Sequence, residues 1–225
     1  MNARELILGR VREALAVPSD EHVKATAGQG VRDVREARHF LPPGGYNPAE
    51  RLHRFQELAA KLKAEVRLFA SMDDAAAAWD TLREQEGWTL AASHDHPLTK
   101  SLLTKGEILW MESRPSPDAL EAVPVGVSAC EALIAQTGSV LVTNRGCGGR
   151  ALSVLPPVHL VIAGASQLLG DMLDGFDLLK ERYGDQPPSL ISFITGASRT
   201  GDIERILVLG AHGPKRLLIW MVQDL

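Results

Sequence analysis

Two short apolar runs, residues 190–195 and 217–222, lie on either side of a polar, glycine-containing stretch. Runs of this length with almost no charge suit strands buried on both faces, the habit of parallel sheets. Between them, Gly196-Ala197-Ser198-Arg199-Thr200-Gly201 reads as a tight loop. It opens a predicted short helix over 202–209 that stops at Gly210. In this reading the loop follows the carboxyl end of a parallel strand, where open α/β sheets bind ligands. Ser198, Arg199 and Thr200 are therefore candidate anion ligands: helix-start amides, two hydroxyls and a bidentate guanidinium would face the same oxyanion. A second reading fits equally well, in which Thr200 or Asp202 caps the helix and Arg199 pairs with a local carboxylate.

The rest of the chain alternates in the same manner. Leu8, Val11 and Leu15 predict a helix over 3–16. Residues 17–46 hold AGQG, the charged run VRDVREAR and LPPGGY, which read as an arm or linker. The expected organisation is thus a helix and arm over 1–46 and an α/β domain over 47–225. Asn47-Pro48 predicts a helix start, with Leu52, Phe55, Leu58, Ala59 and Leu62 on its buried face. A strand over 65–70, a helix from Ser71 to Gly87 and a strand over 88–92 follow, then a short strand over 108–111. The segment 126–135 reads as a loop with a short helix. Strands over 140–143 and 158–163 and a helix over 166–183 complete the series. Strand and helix in alternation point to a mostly parallel sheet covered by helices.

Composition excludes several functions. With 24 Lys+Arg against 28 Asp+Glu and 5% aromatic residues, the chain lacks the basic, stacking surface of a nucleic-acid binder. Cys130 and Cys147 are too few for a four-cysteine iron–sulfur or zinc set. The charged start MNARELILGRVREAL is unlike a signal peptide, and no apolar run reaches the ~20 residues of a membrane span. These features predict a cytoplasmic protein.

Other candidates lie at loops. His94 and His96 have the spacing that lets two imidazoles point one way, either as two ligands of a metal or as parts of a capped turn. The turn Gln136-Thr137-Gly138-Ser139 and the loop Asn144-Arg145-Gly146-Cys147-Gly148-Gly149-Arg150 follow in sequence. The second allows close backbone approach, at Gly148 in particular. Cys147 is either an activated thiolate beside Arg145 and Arg150 or an inert small residue. His212, in Gly-Ala-His-Gly-Pro, suits proton transfer near neutrality or a backbone hydrogen bond, whereas His159 reads as structural.

AQTGSVLV (135–142), GRALSVLPPVHLVIAG (149–164) and SRTGDIERILVLGAHGPKRLLIWMV (198–222) together resemble the lactate-utilisation protein C family, the small LUD-domain proteins. The resemblance implies a three-layer α/β/α sandwich similar to the sugar-phosphate isomerase and CoA-transferase superfamily. It also implies a role beside two iron–sulfur partner proteins in oxidising L-lactate to pyruvate. The clusters are expected in those partners, with no cofactor in this chain. The resemblance assigns no chemical step to particular residues; from the loops themselves, a small anionic metabolite is expected to meet Gln136, Gly138, Ser139, Gly148, Ser198, Arg199, Thr200 and His212. Where relatives often carry a glutamate, this chain has Gln136, which cannot act as the nucleophile of transferase chemistry but can orient a ligand. An accessory subunit and a stand-alone isomerase- or transferase-like enzyme both remain open at this point.

Overall fold

A computed structural model describes residues 3–16, 41–200, 208–210 and 212–223. The chain divides into two compact units, Met1–Leu41 and Pro42–Leu225. The first contains α1 (Ala3–Ala16). The second runs α2 (Pro48–Lys61), β1 (Ala64–Phe69), α3 (Met72–Gln85), β2 (Leu90–Ser93), α4 (Pro97–Leu102), β3 (Glu107–Trp110), α5 (Pro117–Glu121), β4 (Val125–Ser128), β5 (Ala132–Ile134), β6 (Ser139–Thr143), α6 (Arg150–Val154), β7 (Val158–Gly164), β8 (Leu168–Leu169), α7 (Met172–Tyr183), β9 (Ile191–Ile194), β10 (Arg199–Thr200), β11 (Val208–Leu209) and β12 (Arg216–Val222).

Local chemistry sets several boundaries. The Asn47 side chain accepts the Glu50 amide, and Pro48 fills the first helical position of α2. Ser71 and Asp74 close a capping box on α3, and Asp171 with Asp174 does the same on α7.

Six strands form one sheet in the order β1-β12-β7-β4-β2-β3, every pair parallel. Along β7 and β12, alternate residues enter opposite cores. Leu160, Ile162, Leu218 and Trp220 pack with Trp79 of α3 and Leu102 of α4. Val161, Ala163, Leu217, Ile219 and Met221 pack with Phe55 and Ala59 of α2 and with Leu133, Val140 and Val142. Trp79, Phe55 and Ile219 are all 0% exposed; each such burial stabilises by about 3 kcal/mol. The fold is therefore the expected α/β class, a mostly parallel sheet flanked by helices. It carries one addition: a four-stranded sheet, β8-β5-β6-β9, lies against the α2 side of the main sheet. Its other side is covered by α7 through Leu179 against Ile134 and Leu141.

This second sheet overturns three sequence expectations. Residues 126–135 are two strands, β4 and β5, and not a loop with a short helix. Small residues such as Gly126 and Ala132 hid the strand character, which comes from burial on both faces. The helix expected over 166–183 begins only at Met172, because Leu168 and Leu169 pair with Leu133 and Ile134. The run 190–195 yields β9, which is half-buried and antiparallel to β6 at the edge of the small sheet. It is not a strand of the parallel sheet, so the loop after it does not lie at that sheet's carboxyl end.

The helix expected over 202–209 is also corrected where it can be seen. Val208 and Leu209 form β11 and pair antiparallel with β10 (Thr200↔Val208, Arg199↔Leu209). Gly210, at φ 78°, thus ends a strand rather than a helix. Asp202, the alternative cap, lies outside the described residues.

Candidate functional site

Because the main sheet is parallel, its two ends differ chemically. At the amino ends of β7 and β12, a cleft forms between α6, one face of β9 and the turn before β12. Two cavities of ≈ 410 and ≈ 600 Å³ make up this cleft and share Arg150, Val154, His212 and Gly213. Ser153, Ser192 and Ser198 line the smaller, and Lys215 and Glu121 the larger. The alternation of β9 sends Ser192 and Ile194 to this side. The Ser198 amide donates to Pro214 O (2.9 Å) and its carbonyl accepts from Gly210 N–H (2.9 Å). The His212 amide approaches Ser198 Oγ at 3.4 Å. Arg150 and Lys215 are exposed, and neither has an ion-pair partner among the described residues.

Of the sequence-predicted ligands, this cleft gathers Ser198 and His212. Arg199 is exposed in β10, and the backbone of Thr200 is taken up by pairing with Val208. Gln136 donates to Pro42 O (2.8 Å) and Ser139 Oγ lies 2.8 Å from Thr195 Oγ1. Gly138 (φ 67°) sits against Leu58 and Ala59 of α2, where a Cβ would come within 2.9 Å. None of these three lines the cleft. Sequence reasoning missed Arg150 and Lys215. In the sequence Arg150 stands out only as a neighbour of Cys147, and nothing in a linear sequence brings residue 150 next to residue 215.

At the carboxyl ends of β2 and β4, a different arrangement stands. Glu131, 2% exposed, accepts from Thr143 Oγ1 (2.6 Å), Tyr183 OH (2.5 Å) and Arg182 Nη1. Burial, then the Glu131 carboxylate, pushes the Tyr183 phenol above its usual range. The glycine-rich loop lies directly on this network: a Cβ at Gly146 would meet Glu131 Oε1, and one at Gly148 would meet the His94 ring. Gly148 thus serves close backbone approach, but to a protein side chain. Cys147, 2% exposed, is held as a thiol, with its pKa pushed up to about 12 by burial. Burial raises Cys130 as well. Of the two readings of Cys147, the inert small residue is the one this environment supports.

His94 and His96 lie beside that network, with ring centroids 5.6 Å apart. His94 Nε2 accepts the Ala129 amide (3.1 Å) and His96 Nδ1 accepts the Leu98 amide (3.2 Å). A backbone N–H only donates, so each accepting nitrogen carries the lone pair of a neutral ring and the other nitrogen carries the proton. Neither free nitrogen then has a lone pair for a metal, and the capped turn is the reading that holds. Among the described residues no group of three His, Cys, Asp or Glu side chains is placed to hold a metal ion. His159, 0% exposed, shares a hydrogen bond of 2.8 Å with Ser128 Oγ. Burial pushes His94 and His159 down to about 4, the His96 ring adding to the first and His94 to the second.

A third cavity, of ≈ 370 Å³, lies between the start of α2 and the carboxyl ends of β7 and β12. Its walls are mostly apolar, and its arginine, Arg51, donates to Gly45 O at 3.3 Å.

Comparison with known proteins adds the family. The LUD domain model matches residues 108–222, just over half the chain and the span that contains both the cleft and the Glu131 network. This chain belongs to the LUD domain family. Lactate utilization protein C of Bacillus velezensis is 28% identical, over 86% of this chain and 90% of that one. Its namesake in Bacillus subtilis is 26% identical, over 98% and 96%. A crystal structure of a DUF162 family protein from Deinococcus radiodurans shares the fold, with a TM-score of 0.65 at 22% identity, covering 79% of this chain and 99% of that one. Among the described residues no helix of this LUD-family protein is long and apolar enough to cross a membrane.

Proposed function

We propose that this protein serves lactate utilisation as an accessory or regulatory subunit, in the cytoplasm, beside two iron–sulfur proteins that hold the clusters. In this reading it holds a small anionic metabolite in the cleft of Arg150, Ser198, His212 and Lys215. The observation that carries the proposal is the pairing of family with charge. The chain aligns along almost its whole length with a relative named for lactate utilisation, and its cleft presents two cations, against one carboxylate, that form no ion pair among the described residues. Guanidinium, ammonium and hydroxyl groups around one cavity are the donor set that recognises an oxyanion.

The alternative, a stand-alone enzyme of the sugar-phosphate isomerase or CoA-transferase class, is not adopted; for its transferase half, Gln136 offers no carboxylate and its amide is held by Pro42 O. The test is genetic and biochemical together. Deleting the gene should abolish growth on L-lactate, and the wild-type chain should restore it while an Arg150→Ala, Lys215→Ala chain does not. Anaerobic affinity purification should recover the two iron–sulfur proteins. Normal growth of the deletion strain, with no co-purification, would sink the proposal.

A further inference from the structure

The geometry points to a phosphate-bearing ligand of nucleotide size in the cleft, and not to lactate or pyruvate. This inference rests on the small-anion reading above and narrows it. The first argument is charge. Arg150 and Lys215 both face the larger cavity without an ion-pair partner among the described residues, and His212 adds a third donor at the shared boundary. The opposing group is Glu121, at the rim formed by α5. With Glu121 offsetting part of the charge, the donor count decides: a monocarboxylate brings two oxygens to the three donor groups Arg150, Lys215 and His212. A phosphate monoester carries nearly two charges and three acceptor oxygens.

The second argument is size. Lactate has six heavy atoms; at about a water's share of volume for each, it would occupy roughly 150–200 Å³. The smaller cavity alone is ≈ 410 Å³ and the adjoining one ≈ 600 Å³. Both are open to solvent; a lone small acid would occupy less than half of the smaller one, whereas a phosphate joined to a larger body can extend from one into the other.

The third argument is the wall. Leu190, Ile194 and Val154 give the smaller cavity an apolar side, and Ser153, Ser192 and Ser198 give it hydroxyls. Apolar surface with a few placed polar groups holds the body of a ligand, while the cations hold its charge.

The experiment is calorimetric titration of the full chain with ADP, inorganic phosphate, lactate and pyruvate at one ionic strength. ADP should bind at least tenfold more tightly than phosphate, and lactate and pyruvate should give no heat at the same concentrations. Arg150→Ala and Lys215→Ala should each weaken ADP binding about tenfold or more. Both side chains are exposed, so both variants should keep the wild-type melting temperature. Arg150→Lys should restore part of the loss, because charge survives while the bidentate fork does not. Lactate or pyruvate binding as tightly as ADP, with the same dependence on Arg150, would overturn the phosphate inference and leave the small-anion reading standing. Phosphate binding as tightly as ADP would overturn the nucleotide size. ADP binding unchanged in both alanine variants would overturn the site, and no binding by any of the four anions would overturn both this inference and the reading beneath it.

Discussion

The two ends of the parallel sheet are built on opposite plans. At the carboxyl end, Glu131 receives three side-chain donors, and His94 and His96 each receive a backbone amide. At the amino end, Arg150 and Lys215 stand exposed and form no ion pair among the described residues, with Glu121 in the same cavity. A buried polar group is costly unless paired, so the carboxyl end has its partners built in and gains rigidity from them. An exposed cation is solvated by water and costs little to leave unpaired, so the amino end keeps its donors for something that arrives from solution. Polar density alone would have nominated the carboxyl end as the ligand site. Counting which donors are already taken reverses that choice.

The largest test of this contrast is pH. His94 and His159 remain neutral in the folded protein down to about pH 4, whereas an unfolded histidine takes a proton near 6.5. Between those values the unfolded chain binds more protons, so stability is fully present above about pH 6.5 and is lost as pH falls towards 4. Each ring contributes up to about 3 kcal/mol to this loss. Urea unfolding at pH 7 and pH 5 should show the fall, and His159→Gln with His94→Gln should flatten it. An unchanged slope in the double variant would mean that these rings are not the titrating groups.

Next in size is Glu131→Ala, expected to cost about 3 kcal/mol in urea unfolding, because it strands the Thr143 and Tyr183 hydroxyls in a buried site. Arg150→Ala should cost less than about 0.5 kcal/mol in the same assay, as an exposed substitution. Equal costs would erase the distinction between a structural end and a receptive end. The smallest effect concerns the thiols. Iodoacetamide at pH 8 should leave Cys130 and Cys147 of the folded protein unmodified over an hour, and label both in urea. Labelling of folded Cys147 would show that the glycine-rich loop opens.

Much of this was legible in the chain itself. The start of α2 at Asn47-Pro48 and of α3 at Ser71 follow from capping chemistry that acts within four residues. The strand β1 follows from the alternation of polar and apolar residues, and β2, β7 and β12 from short apolar runs. What failed was segments whose structure is set by distant partners. Residues 168–169 continue an amphipathic pattern into α7, yet they pair with β5. Residues 190–195 read as a fully buried parallel strand, yet 191–194 border an antiparallel sheet. Neither difference has a local signal, because strand pairing is decided by which edge is free to accept hydrogen bonds.

The candidate site divides along the same line. Sequence alone determined the α/β alternation, the family and two residues of the cleft, Ser198 and His212, because caps, periodicity and motif spacing are properties of neighbouring residues. Only the tertiary structure decided that Arg150 and Lys215 join them, that Gln136, Gly138 and Ser139 do not, and that His94 and His96 already spend their lone pairs on backbone amides. The physical reason is that a side chain's chemistry depends on which of its atoms are already engaged. Those partners, Ala129 for His94 and Arg182 for Glu131, lie 35 and 51 residues away along the chain.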